Sequence, residues 1–208
     1  MNKIQIFPST EEAITHLTDF FISIAVEQID QKGIFSVALS GGRTPLALYK
    51  YLAQDSSADH LSWNKIHFFW GDERPVSPDH PDSNFLQASL TLLKPRLIPA
   101  ENIHRIPGEL DPKTAAAHYQ KEILGWFANT PPRFDLVLLG MGTDGHTASL
   151  FPGTQALLES RQNEWVIANH VPQHSTWRIT FTPKLINAAE QVVFLVTGQS
   201  KSESLFEV

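Results

Sequence analysis

FDLVLLGMGTDGHTASLFPG, residues 134–153, is the passage on which the fold turns: an almost wholly apolar run, Phe134 to Leu139, that passes directly into a loop with four glycines. A short apolar run bounded by glycine reads as a buried strand. The same unit recurs upstream. Phe35 to Leu39 (FSVAL) gives way to Ser40-Gly41-Gly42-Arg43-Thr44-Pro45, and Lys65 to Trp70 (KIHFFW) ends in Gly71-Asp72-Glu73-Arg74. Trp177 to Thr182 and Val192 to Thr197 read as further strands, and Ile4 to Phe7 alternates like a short edge strand.

Helical patterns fill the intervals. Ser9-Thr10-Glu11-Glu12 reads as a capping box, after which Ile14, Leu17, Phe21, Ala25 and Ile29 recur at helical spacing up to Gly33. Pro45 suits the first turn of a second helix, with Thr44 as its cap. Further helices are expected near Asn84 to Leu93, over Ala115 to Trp126 and around Leu185 to Glu190. Strands alternating with amphipathic helices imply an α/β fold, with a mainly parallel open sheet covered by helices on both faces: a Rossmann-like, three-layer arrangement. In such sheets ligands bind beyond the carboxyl ends of the strands. Three strands end there in loops rich in glycine and charge, at Ser40, Gly71 and Gly140, so these loops are expected to meet at one site.

Composition narrows the function classes. The 208 residues fit a single domain with a substantial core, and 42% hydrophobic with 18% charged residues argues against disorder. A net charge of −6 gives no general attraction to nucleic acid or to an anionic membrane, so neither is an expected partner, and a bound anion must be held locally. The chain has no cysteine, which excludes disulfides and thiolate metal sites. It has no signal-peptide core near the N-terminus and no apolar run of about 18 residues, so the expected location is the cytoplasm.

Each loop has a functional and a plain reading. Paired glycines ahead of a helix let backbone approach a phosphate at the helix N-terminus, with Gly41, Gly42 and Thr44 as the cradle and Arg43 adding a guanidinium. A tight turn with no ligand explains the same residues, and the Gly-Lys-Ser/Thr ending of a nucleotide P-loop is missing. Asp72 suits a sugar hydroxyl or a proton-transfer role and Arg74 suits developing negative charge, although a solvated turn also accounts for them. In the third loop Asp144 stands two residues before His146. Imidazole, with an ordinary pKa of about 6.5, suits proton abstraction from water at neutral pH. His170 and His174 have metal-ligand spacing, but Pro172 between them argues against a shared helix face, and no metal is expected. Lys201, in Gly198-Gln199-Ser200-Lys201 after the last strand, is within reach of the same rim, and Arg178 is a further cation.

Taken together in chain order, SGGRTP at Ser40, WGDER at Trp70, DSN at Asp82, the loop at Gly140, RITFTP at Arg178 and TGQSK at Thr197 resemble the 6-phosphogluconolactonases, within the wider group that holds the glucosamine-6-phosphate isomerases. The resemblance implies hydrolysis of a sugar-phosphate lactone without metal or organic cofactor. His146 is then the general base, Asp144 orients His146 or a sugar hydroxyl, Arg74 and Asp72 are further catalytic groups, and Gly41, Gly42, Arg43, Thr44, Arg178 and Lys201 are the phosphate and substrate contacts. It also implies a monomer or weak homo-oligomer. The 208 residues read as one domain, expected to lack the C-terminal strand and helix usual in that family. Arg43 departs from the family's common Ser and adds a charge to the turn. Two other readings remain open: an isomerase or deaminase with Asp72 as base, and a non-catalytic sugar-phosphate sensor.

Overall fold

A computed structural model describes residues 4–128, 130–158 and 163–207. In chain order the elements are α1 (Thr10–Lys32), β1 (Phe35–Leu39), α2 (Arg43–Gln54), β2 (Ile66–Trp70), β3 (Asp72–Glu73), α3 (Asn84–Ala88), α4 (Pro112–Trp126), β4 (Leu136–Leu139), β5 (Val166–Val171), β6 (Thr176–Phe181), α5 (Pro183–Asn187), β7 (Gln191–Phe194) and α6 (Ser202–Glu207). Ser9 opens α1 as expected, its hydroxyl accepting from Glu12 N at 3.1 Å, and Gly33 closes it in the left-handed region at φ 83°.

Four strands form a parallel sheet in the order β2-β1-β4-β7. The chain builds β2 on one side of β1 and then returns to place β4 on the other. Connections therefore leave the adjacent carboxyl ends of β1 and β4 in opposite directions, which opens a crevice between the loops at Ser40 and Gly140. Both strands are fully buried, so each needs cover on two faces. Phe21 of α1 meets Phe35 of β1 edge-on at 5.5 Å on one side. On the other side α4 packs against β2, where Tyr119 Oη accepts from Trp70 N at 2.9 Å and donates to His104 O at 3.1 Å.

The second sheet is antiparallel, in the order β3-β6-β5. Gly71 is the joint between the two: its N–H bonds Leu39 O at 2.8 Å, extending the parallel sheet, while its carbonyl accepts from Phe181 N at 2.8 Å. The strand that carries Phe68 to Trp70 thus continues as β3 in a different sheet. α4 lies between the sheets, and Phe134 stacks on Phe181 across that layer at 5.4 Å.

Several local expectations change. Ile4 to Phe7 pairs with no strand among the described residues, and Ile4 and Ile6 are 86% and 91% exposed. The helix from Asn84 changes at Ser89 to a wider turn in which Lys94 N reaches Ser89 O. Gly42, at φ 105°, occupies the N-cap of α2, leaving the cap without a side-chain acceptor. Thr44 instead shares a 2.9 Å hydroxyl contact with Thr197 beyond β7. Among the described residues no helix is long and apolar enough to cross a membrane.

Candidate active site

The crevice between β1 and β4 opens into a cleft of about 650 Å³. Its walls come from the three expected loops, from β6 and from the segment after β7. Gly41, Gly42, Arg43 and Thr44 form one end with Lys201; Asp72, Arg74 and Arg178 form a second wall; His146 stands on a third. Every expected site residue therefore meets here except Asp144, which stands behind His146 and off the cleft wall.

Local chemistry explains each placement. At the His146 loop, Gly142 N donates to His146 O at 2.7 Å and Thr147 Oγ1 donates to Gly140 O at 2.8 Å, closing the loop on itself. Asp144 Oδ1 lies 2.5 Å from His146 Nδ1. That contact assigns the Nδ1 proton to the carboxylate and leaves Nε2 for solvent and substrate. Burial pushes the Asp144 carboxyl up, but the hydrogen bond and charge of His146 outweigh it and hold the group below its ordinary value. Ser204 of α6 donates to Thr143 O, tying the same loop to the C-terminal helix.

The Asp72 wall is built on buried carboxylates. Asp72 is 7% exposed and its Oδ2 accepts from Ser149 Oγ at 2.6 Å. Asn84 Nδ2 donates to Asp72 O at 2.9 Å, which fixes the carboxamide orientation because a carbonyl only accepts. Glu73 points away from the cleft and accepts from Arg74 N, Asn84 N, Phe85 N and Ser83 Oγ, all within 3.0 Å. Burial raises the Glu73 carboxyl above its ordinary value, an effect these donors oppose and the Asp72 charge reinforces. Glu73 is thus the anchor of the N-terminus of α3, and through it of Asn84.

Arg74 Nη1 donates to Asp82 O at 2.7 Å, and Arg178 Nη1 donates to Trp177 O at 2.8 Å. Burial and then the neighbouring Arg74 lower the Arg178 guanidinium from its ordinary value, with Asp72, Asp82 and Glu73 acting in the opposite sense. Two neighbouring guanidiniums that repel each other on one cleft wall make a setting that favours an anion. At the end formed by Gly41 to Thr44 the N-terminus of α2 has no side-chain cap, so its first N–H groups are available to the cleft that Lys201 also lines. Arg43 is exposed at the rim of that end.

Ser149, Asn84, Phe151, Thr10 and Thr197 were not singled out from the sequence as individual site residues; all five line the cleft. Their side chains carry no distinctive chemistry, and only pairing across the fold reveals them. His170 lies in β5 and His174 in the following turn, and among the described residues no cluster of His, Asp and Glu side chains is arranged to hold a metal ion.

A family model described as glucosamine-6-phosphate isomerases/6-phosphogluconolactonase matches residues 8–208. The 6-phosphogluconolactonase of Nostoc sp. is 44% identical, the match spanning 99% of this chain and 84% of that protein. The 6-phosphogluconolactonase of Haemophilus influenzae is 39% identical over 100% of this chain and 85% of its own. Among solved structures, a 6-phosphogluconolactonase from Thermotoga maritima superposes with a TM-score of 0.81 at 32% identity, covering 94% of this chain and 84% of that one. The Trypanosoma brucei 6-phosphogluconolactonase superposes with a TM-score of 0.87 at 29% identity, covering 99% and 85%.

Proposed function

The chain belongs to the glucosamine-6-phosphate isomerase/6-phosphogluconolactonase family, and on that premise we propose that it hydrolyses the lactone of 6-phosphogluconate, with His146 as general base. It is an enzyme of the lactone-hydrolase branch, and the reaction belongs to the oxidative pentose phosphate route in the cytoplasm. The observation that carries the catalytic reading is the 2.5 Å contact between Asp144 Oδ1 and His146 Nδ1 in a residue that lines the cleft.

His146 Nε2 takes a proton from water as the water oxygen bonds to the lactone carbonyl carbon. The carbonyl π electrons move to its oxygen, and the resulting oxyanion is stabilised by Arg74 with loop N–H groups. When the carbonyl re-forms, the bond to the ring oxygen breaks and that oxygen takes the proton from the His146 imidazolium. Asp144 keeps the imidazole in one tautomer throughout. The phosphate is held at the α2 N-terminus by the backbone of Gly41 and Gly42, by Thr44 and by Lys201, with Arg43 at the rim. Arg178 and Asp72 orient the sugar between these two ends. None of these steps calls for a metal or an organic cofactor, since an activated ester is attacked directly by water.

The test is lactone hydrolysis, corrected for spontaneous opening, by this chain and by His146→Ala side by side. The expected result is turnover well above background that the substitution removes. A folded His146→Ala protein hydrolysing at the unsubstituted rate would overturn the assignment. Release of ammonia from glucosamine 6-phosphate would instead favour an isomerase-type reaction with Asp72 as base.

A further inference from the structure

Asp144 fixes one edge of the His146 ring, but a single hydrogen bond leaves the ring plane free to swing about it. The plane is settled by a second contact. The Phe151 ring, 4% exposed, stacks on the imidazole with centroids 4.0 Å apart and planes 24° from parallel. Phe151 is itself braced: His174 meets it edge-on at 5.5 Å, and the carbonyl of the next residue, Pro152, accepts from Gln173 Nε2 at 3.3 Å. A loop bounded by β4 and a turn beyond β5 therefore clamp one phenyl ring against the candidate base.

We propose that Phe151 is a positioning residue for the lactone hydrolysis, holding the His146 ring in plane. This rests on His146 being the general base. The face of a phenyl ring carries the negative end of its quadrupole, so it attracts an imidazolium more strongly than a neutral imidazole. The contact thus strengthens as the proton leaves water for Nε2, which is the condition for lowering a barrier rather than merely binding. The other charged or titratable side chains lining the cleft are Arg43, Asp72, Arg74, His174, Arg178 and Lys201, whereas Phe151 is in direct contact with the ring.

The experiment compares unsubstituted protein, Phe151→Leu, Phe151→Tyr and His146→Ala, measuring kcat and KM separately and recording the ring C–H proton resonances of His146. Phe151→Leu is expected to lower kcat about tenfold, the size of one lost cation–ring contact, with KM held within about twofold. Phe151→Tyr, which keeps the ring, is expected to stay within about threefold of the unsubstituted kcat. The His146 resonances are expected upfield wherever an aromatic ring is stacked on it and to lose that displacement in Phe151→Leu. Unsubstituted kcat in Phe151→Leu overturns the proposal, as does equal loss in both variants while the tyrosine still shifts the resonances. An unshifted His146 signal in the unsubstituted protein overturns it whether or not the leucine variant folds. Full activity in His146→Ala removes the base itself; an inactive His146→Ala beside a fully active Phe151→Leu removes only the role of Phe151.

Discussion

Gly142 lies directly beneath the His146 imidazole, so close that a Cβ on it would stand 2.1 Å from Nδ1 and 2.4 Å from Asp144 Oδ1. The hydrogen bond between the base and its partner thus exists in the space that a side chain at position 142 would fill. Backbone conformation is not the constraint here, because Gly142 is not among the positive-φ glycines. Gly142→Ala is therefore expected to act on chemistry more than on stability. Displacing the pair by a fraction of an ångström should lower kcat by about 10- to 100-fold, with the melting temperature little changed. Steady-state kinetics and thermal unfolding on the same preparation check this, and an alanine variant with full kcat would show that the loop relaxes freely.

Gly41 has the same relationship to Asn84, whose Oδ1 would lie 1.8 Å from an added Cβ. Asn84 cannot easily yield, since its Nδ2 is bonded to Asp72 O and its backbone N to Glu73. Gly41→Ala is expected to push the turn out of place and raise KM for the phosphorylated lactone about tenfold, with a smaller effect on kcat. Because the clash is between two named groups, Gly41→Ala with Asn84→Gly should recover part of the lost affinity. A double variant no better than the sum of the two single ones would show that the two sites act independently.

Glu73 shows how buried charge supports the site without entering it. Replacing it by alanine strands the Arg74 N–H just after β3 and, at the start of α3, the N–H groups of Asn84 and Phe85 and the Ser83 hydroxyl. The expected loss is about 3 kcal/mol of unfolding free energy, the range for unpairing buried donors of a charged acceptor. Glu73→Gln keeps one acceptor oxygen and should lose less. Urea unfolding of the three proteins checks the order, and an alanine variant as stable as the unsubstituted chain would mean that water replaces the carboxylate.

Much of the site was legible in sequence because its reactive residues sit in loops whose glycines mark them: His146, Asp144, Asp72, Arg74 and the Ser40 turn all belong to short passages with unusual composition. The parallel sheet was legible for a similar reason, as β1, β2 and β4 are nearly continuous apolar runs. What escaped were features defined by long-range pairing. β3 is made of two charged residues, Asp72 and Glu73, and is a strand only because β6 lies beside it. β5 reads VIANHV, and its polar Asn169 and His170 break any apolar run, although Asn169 is buried by donating to Ser149 O and Thr154 Oγ1. Ser149 meets Asp72 across 77 residues of sequence. The alternation at Ile4 to Phe7 misled for the opposite reason: it has strand pattern and, among the described residues, no partner strand.

The His67–His104–Glu122 chain, remote from the cleft, sets an expectation for pH. His67 Nδ1 lies 3.1 Å from His104 Nε2, and His104 Nδ1 lies 3.1 Å from Glu122 Oε1. With the His104 Nδ1 proton given to the carboxylate, the two imidazoles share a single proton between them, and a second one breaks their contact. Burial first and then His104 lower the His67 pKa, against a weaker opposing pull from Glu101. A histidine lowered on folding binds fewer protons in the native state than in the unfolded chain. Its contribution to stability is therefore complete above the ordinary value of about 6.5 and is lost as pH falls from there towards the folded value. His104 also stacks on Phe69 at 4.3 Å and receives the Tyr119 hydroxyl on its carbonyl, so the loss falls on the packing of α4 against β2. His67→Phe removes the titrating group while keeping an aromatic ring. The melting temperature of the unsubstituted protein is expected to drop more steeply than that of His67→Phe from about pH 6.5 down to about pH 5.5, with the two converging in slope above about pH 7. Parallel slopes across the whole range would place the acid sensitivity in some other group.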